Sequence, residues 1–444
     1  MFDLLEAVLA RAGRGVEVEA YGEEVVSRRV KAYGGEVEQF TAARRRGVGV
    51  RVVRDGAMGF AHTSDLSPHG LAEVVSRALA HAAASDADPH AGLPGEAGEP
   101  APVRPFDPRL AAVDDARRIT FARELEAAAL AADPRVRTVE DALYADADAG
   151  LFLLNSAGVR RSCRVTQCSC FVYVLAEQDG QVETGYSFGL GRTIEDMDPA
   201  AVAREAAARA CRLLGARKCA SMKVPVVLDP FVAATVFRVV SAALTADAVQ
   251  KGRSLFAGRE GQAVASGLVN LVDDATLPDG PGSVPFDGEG VATRRTALIE
   301  GGVLQGFLYD TYTARKAGRS STGNGFRASY ASVPAVRPSN LVVSGPATPA
   351  ADLVAGLDRG VLVCDVVGVH SGANPVSGEF SVGMSGVLIE RGELTRPVRE
   401  VTLAGDLPGM LAGVRALGDD ARWVPEGSVH TPSLLVEGMA VGGD

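Results

Sequence analysis

The tightest constraint on this chain is a pair of period-two runs closed by a single turn. Gly47-Val48-Gly49-Val50-Arg51-Val52-Val53 alternates, Asp55-Gly56 follows, and Met58-Gly59-Phe60-Ala61-His62-Thr63 returns. Successive strand residues point to opposite faces of a sheet, so such a run suits a strand and gives no continuous helical stripe. Asp-Gly tolerates positive φ at both central positions and closes a two-residue hairpin. Val16-Glu17-Val18-Glu19-Ala20-Tyr21 alternates too. An antiparallel meander is therefore expected near the N-terminal end.

Helical signals interrupt the strands without strict alternation. Residues 1–12 repeat apolar side chains at helical spacing. Ser67-Pro68 starts a helix to about Ala84, with Ser at the N-cap and Pro at the first turn. Residues 85–109 are rich in Pro, Gly, Ala and Asp and read as an extended surface loop. Helices are expected near 110–132 and 199–214, with strands near 136–143, 151–154, 159–174 and 181–188. At Lys223 the register changes to a short apolar strand ending in Asp229-Pro230, followed by a helix over about 231–250. Beyond it the chain is mostly strand and turn. Leu298–Leu304 echoes Leu388–Leu394, which reads as one hairpin design used twice in a large antiparallel sheet. The expected class is α+β. Residues 1–222 form a mixed α/β domain with an antiparallel sheet, and 223–444 form a strand-rich antiparallel domain.

Charge narrows the partners. Net charge is -10, and the densest basic cluster, Arg44-Arg45-Arg46, reads as a solvated turn. Nucleic acid is not an expected partner, because its recognition needs clustered positive charge. The start, Met1-Phe2-Asp3-Leu4-Leu5-Glu6, lacks the positive end and apolar run of a secretory signal. No stretch is apolar for the roughly 20 residues of a membrane span. A cytoplasmic location and no membrane partner are expected. Six cysteines without a C-x-x-C pair read as reduced core residues.

Motifs for common chemistries are missing from the sequence. There is no H-E-x-x-H, and no two of the six histidines lie four or five apart. Gly318–Gly325 lacks the lysine of a phosphate loop. Asp273-Asp274 and Asp287 with Glu289 could hold a hard cation, but turn capping and solubility explain them more cheaply. Ser321–Arg327 and Gly368–Pro375 are Gly-rich and polar, which suits either plain turns or a lining that holds an extended peptide by backbone pairing.

Several stretches together resemble one family. They are Arg44–Arg51 with Gly59-Phe60-Ala61, Ser254–Gly258, Val272–Asp274, Phe286–Arg295, Asp310–Lys316, Ser321–Asn324, Pro397–Gly405 and Pro432–Leu434. In order and across nearly the whole chain, they resemble the TldD/PmbA family, also called modulators of DNA gyrase. The resemblance implies a catalytic TldD-type subunit with H-E-x-x-x-H on a helix and a C-terminal cysteine completing a zinc site. The matching positions here are Phe237, Arg238 and Ala242, and no cysteine follows Cys364. Phe and Ala offer no lone pair, Arg cannot take a proton from water, and Phe237 and Ala242 suit a packed helix face.

The chain therefore resembles the TldE kind of subunit, with no catalytic residue, no metal ligand and no cofactor of its own. The resemblance implies a heterodimer with a zinc-bearing TldD-like subunit, or a homodimer in its absence, around a cavity that degrades or trims unfolded peptides. Thr322, Asn324, Arg327 and His370 are the expected substrate-binding residues. An independent enzyme for a peptide-like metabolite and a homodimeric peptide-binding protein are the alternatives.

Overall fold

The computed structural model describes residues 1–443 except 14, 96, 373, 375 and 425–427. In its first half, α1 (Phe2–Arg11) precedes β1 (Glu17–Tyr33), β2 (Glu36–Arg54) and β3 (Ala57–Thr63). Then come α2 (Pro68–Ala83), α3 (Arg109–Ala112), α4 (Asp115–Ala132), β4 (Val136–Asn155), β5 (Arg160–Gln178), β6 (Gln181–Gly191) and α5 (Pro199–Leu213). The six strands form one antiparallel sheet in the order β3-β2-β1-β4-β5-β6. The expected hairpin is present, with φ of 51° at Asp55 and 79° at Gly56. Ser67 caps α2 by accepting from the Gly70 N–H at 3.1 Å.

Alternation along β1 and β2 gives this sheet two unlike faces. Val18, Ala20, Val48, Val50 and Val52 meet α1 and α2, while Val30, Ala32, Tyr144 and Val172 meet α4 and α5. Glu19, Tyr21, Glu23 and Arg51 point the other way, and they too are buried, because the second half of the chain covers them. Gly47 and Gly49 make that cover possible. A Cβ at Gly47 would lie 2.3 Å from the Tyr330 ring, and one at Gly49 would lie 2.2 Å from the Tyr330 carbonyl.

The second half begins with β7 (Met222–Leu228), α6 (Pro230–Ala243), α7 (Ala246–Gln250), β8 (Asn270–Asp274), β9 (Arg295–Glu300) and β10 (Val303–Leu304). It continues with α8 (Thr311–Ala317), β11 (Gly325–Phe326), β12 (Ala335–Val336), β13 (Leu341–Ser344), β14 (Ala347–Thr348) and α9 (Ala350–Ala355). After β15 (Arg359–Val367) come α10 (Val369–Gly372), β16 (Glu379–Glu390), β17 (Glu393–Asp406) and α11 (Leu407–Ala412). The last strands are β18 (Val414–Gly418), β19 (Arg422–Val424), β20 (Val429–Thr431) and β21 (Leu434–Gly442). A seven-stranded sheet runs β14-β18-β21-β17-β16-β15-β7, and a six-stranded sheet runs β10-β9-β8-β13-β20-β19. The α+β class expected from sequence is the class observed. The second half is mainly antiparallel, with parallel pairs at β7–β15, β13–β20 and β14–β18.

Several local readings need correction. Arg44–Arg46 lie inside β2, where Arg45 pairs with Glu23 at 2.7 Å and Arg46 with Glu24 at 2.8 Å. They stay exposed because they edge a long strand, not because they turn. The helix read over 110–132 breaks at Asp114, whose carboxylate caps Arg117 N–H at 2.7 Å. The helix read over 231–250 breaks before Thr245, which caps Ala248 N–H at 3.3 Å. The segment 85–109 is no free surface loop. Leu93, Ala97 and Ala101 are buried, and Ala101 N–H donates to the Pro285 carbonyl at 2.9 Å. It is a strap that ties the halves together. The two echoing hairpins both exist, at Gly301-Gly302 and Arg391-Gly392, but they belong to different sheets.

Candidate functional site at the junction of the halves

Where the first sheet meets the second half, the chain buries a group of charges. Arg51 and Glu19 are cross-strand partners on β2 and β1. Arg51 Nη2 donates to Glu19 at 2.9 Å, and its Nη1 donates to Glu289 at 3.1 Å. The guanidinium of Arg327 also donates to Glu19. Its remaining donors reach the Gly288 and Ser332 carbonyls, each at 2.8 Å. Glu289 accepts in addition from Thr311 N–H at 2.7 Å. Burial opposes the charge on Arg51, but Glu19 and Glu289 outweigh it and hold its pKa above the ordinary value. At Arg327 burial prevails and lowers the value despite Glu19.

A carboxylate layer sits behind these ion pairs. Asp287 accepts the N–H groups of Glu289, Val291 and Gly325 at 2.8–3.0 Å. Burial, then the charge of Glu289, pushes its carboxyl well above the usual range. Asp273 accepts from Asn324 at 2.6 Å and from both the Ser339 N–H and hydroxyl. Burial raises Asp273 to about 6, against those hydrogen bonds. Thr322 donates to Asn324 at 2.6 Å and accepts the Tyr309 N–H. The carboxylates read as solubilising turn residues are therefore interior acceptors: Asp273, Asp287 and Glu289 are each 1–2% exposed.

The structure places Thr322 and Asn324 in a hydrogen-bonded group around Asp273, and Arg327 in the neighbouring ion-pair group around Glu19. His370 belongs to α10 by its backbone, and its side chain lies outside the described residues, as do Ala373 and Pro375 of the same stretch. Beside the network a cavity of about 540 Å³ opens between the halves, lined by Arg51, Met58, Asp88, Asp310, Tyr312 and Val336 among others. Tyr312 donates to Asp88 across it at 2.8 Å. Sequence reasoning missed Glu19 and Arg51. Both sit at the polar positions of alternating strands, and Arg51 meets Glu289 across a separation of 238 residues.

Zinc does not fit the residues on α6. Phe237 is fully buried in the core, while Arg238 and Ala242 lie on the exposed side. Ala242 thus does not pack as expected from sequence. None of the three side chains has a donor atom for zinc. Among the described residues, no group of three or more His, Cys, Asp or Glu is placed to hold a metal ion.

With this geometry established, sequence patterns of known families match in three consecutive spans. The PmbA/TldA metallopeptidase domain 1 matches residues 18–82, the central domain 108–214 and the C-terminal domain 221–443. The chain belongs to the PmbA/TldD metallopeptidase family. Metalloprotease PmbA of Escherichia coli O157:H7 is 29% identical, over 91% of this chain and 88% of that protein. The metalloprotease TldD homolog of Haemophilus influenzae is 30% identical, over 90% and 87%. A crystal structure from Thermotoga maritima, described as a candidate modulator of a DNA gyrase, superposes with a TM-score of 0.91 at 28% identity, covering 99% of this chain and all of that one. TldE from Thermococcus kodakarensis shares the fold, with a TM-score of 0.89 at 22% identity and full coverage of both chains. Both PmbA and TldD relatives align along most of their length, so the PmbA/TldD family fold is present with all three of its domains.

Proposed function

We propose that this chain is the non-catalytic, TldE-like subunit of a TldD/TldE-type zinc metallopeptidase complex that degrades or trims unfolded peptides. Helix α6 carries the argument. At the positions that resemble the zinc motif it offers a core phenylalanine, an exposed arginine and an exposed alanine. Such side chains can neither hold zinc nor activate water, so hydrolysis must draw on a zinc-bearing TldD-like partner. In that complex the chain closes the peptide cavity. The loop of Thr322, Asn324 and Arg327, with His370, contributes to its wall. The buried network fixes that loop against the first sheet, so its part in peptide binding is one of shape and exposed backbone.

A cytoplasmic setting belongs to the same proposal. None of the described helices is long and apolar enough to cross a membrane. The test is co-expression with a TldD-type protein of the same genome, purified through a tag on this chain. Co-elution, bound zinc and hydrolysis of an unfolded peptide are expected for the pair, and neither zinc nor hydrolysis for this chain alone. Hydrolysis by the single chain would overturn the proposal in favour of an independent enzyme for a peptide-like metabolite. Peptide affinity without hydrolysis, even with the partner present, would favour a binding protein.

A further inference from the structure

The first sheet has one stretch of edge that its own strands leave unfinished. β6 pairs with β5 only from Cys168 to Gln178. On the other side of β5, β4 continues down to Arg160. From Arg160 to Gln167 the outer edge of β5 therefore has no strand beside it among the described residues.

Hydrogen-bond directions show which groups that edge presents. Asn155 N–H donates to the Val159 carbonyl, so odd residues here bond inward to β4. Even residues point outward. Thr166 N–H does so, and donates to the Pro105 carbonyl of the strap at 2.9 Å. The Thr166 carbonyl accepts from Arg192, and the Arg160 carbonyl accepts from Arg161. Between them, the outward N–H and C=O groups of Ser162 and Arg164 take no partner among the described residues. Both residues are exposed. Pro105 demonstrates that a backbone can pair with this edge, and the strap then leaves the next rungs open.

A cavity of about 500 Å³ lies along those rungs, walled by the strap and by Pro285 and Phe286. Arg104, Arg160, Arg161 and Arg164 line it, and among the described residues no acidic side chain does. Arg160 is paired with Glu6 and Arg164 with Asp148. Arg161 spends its terminal nitrogens on the Gly98 and Arg160 carbonyls, and its buried Nε has no partner. Arg104 is exposed and makes no ion pair among the described residues. Two guanidinium charges thus have no carboxylate partner among the described residues, in a chain of net charge -10. Phe106 and Phe286 add apolar surface.

We infer that this edge binds an acidic polypeptide segment in extended conformation, which adds as a strand beside Ser162 and Arg164 with its carboxylates toward Arg104 and Arg161. Strand addition supplies affinity through main-chain hydrogen bonds, and the flanking side chains set specificity. An edge left open is otherwise a liability that proteins cover or break. The inference holds whether or not the chain has a catalytic partner.

The test uses the full chain alone and a short fluorescent peptide alternating Glu and Thr, read by anisotropy. The Glu peptide is expected to bind, and its Lys counterpart not to bind. Arg104→Glu is expected to weaken binding about tenfold, as a reversed charge beside a carboxylate does. Ser162→Pro removes an outward N–H without touching the β4 ladder, so it is expected to abolish binding while thermal unfolding stays cooperative. A Glu peptide N-methylated at alternate residues is expected to lose binding in one of its two registers. Absence of binding by the Glu peptide, or indifference to Arg104→Glu, would overturn the inference. Unchanged binding by both Ser162→Pro and the N-methylated peptides would overturn it too, by showing a simple anion patch. None of these results bears on zinc or hydrolysis in the complex, so failure here leaves the subunit proposal standing.

Discussion

Two groups of arginines in this protein have opposite fates. Arg51 and Arg327 lie under the second half of the chain with Glu19 and Glu289, and their side chains are at most 9% exposed. Arg104 and Arg161 line the open end of β5, where backbone groups as well as charges are left unspent. The first group holds two halves in register against carboxylates; in the second, Arg161 meets only the Gly98 and Arg160 carbonyls and Arg104 has no ion pair among the described residues, so neither has a carboxylate partner. Their difference is burial and partnership, since the residue type is the same. A buried guanidinium is tolerable only when carboxylates and carbonyls replace its water, and that requirement consumes its capacity to bind a ligand.

The largest effect expected from this contrast is at Arg51. Arg51→Met leaves Glu19 and Glu289 buried with one cation fewer and should cost about 3–5 kcal/mol in denaturant unfolding. A cost below about 1 kcal/mol would mean the network is not an ionised clamp, and the comparison would collapse.

Asp273→Asn comes next. It turns an amide donor toward either Asn324 or Ser339, which already donate, and should cost about 1–3 kcal/mol. Its pH signature is more telling. Asp273 titrates at about 6 in the folded protein against 3.8 for the free side chain. The folded state holds the proton more tightly, so this group's contribution is fully present below the unfolded value. It is lost as pH rises through about 6. Unfolding measured from pH 4 to 7 should show that decline in the parent, and a flatter profile in Asp273→Asn. Identical profiles would show that Asp273 is not the titrating group.

Arg45→Ala tests the middle ground. Arg45 is half exposed, but its partner Glu23 is buried and also accepts the Tyr330 N–H at 2.7 Å. A loss of about 1 kcal/mol is expected, falling as salt is raised. Salt-independent loss would assign the effect to packing. The smallest effect belongs to Arg104→Met, which should leave stability within about 0.5 kcal/mol. A larger loss in thermal unfolding would make Arg104 a structural residue like Arg51.

Much of the fold was legible because it rests on local rules. The Asp55-Gly56 hairpin, the Ser67 cap and the start of β7 follow from turn and cap chemistry within a few residues. Boundaries failed where a single polar residue reset the chain, as Asp114 and Thr245 do by capping new helices. The candidate site was legible only in part. Asn324 and Arg327 drew attention as polar residues in a Gly-rich stretch, yet their partners could not be read. Asp273 is 51 residues from Asn324, and Glu19 is 308 from Arg327.

By itself, the sequence determined the α+β class, the family and the absence of zinc-ligating side chains at Phe237, Arg238 and Ala242. Those properties depend on residue type and short-range spacing. Only the tertiary structure decided that the polar face of β1 and β2 is interior, that residues 85–109 form a strap, and that β5 outruns β6. An alternating strand specifies two faces but not what covers each, and an edge is open or closed only relative to a neighbour far away in the chain.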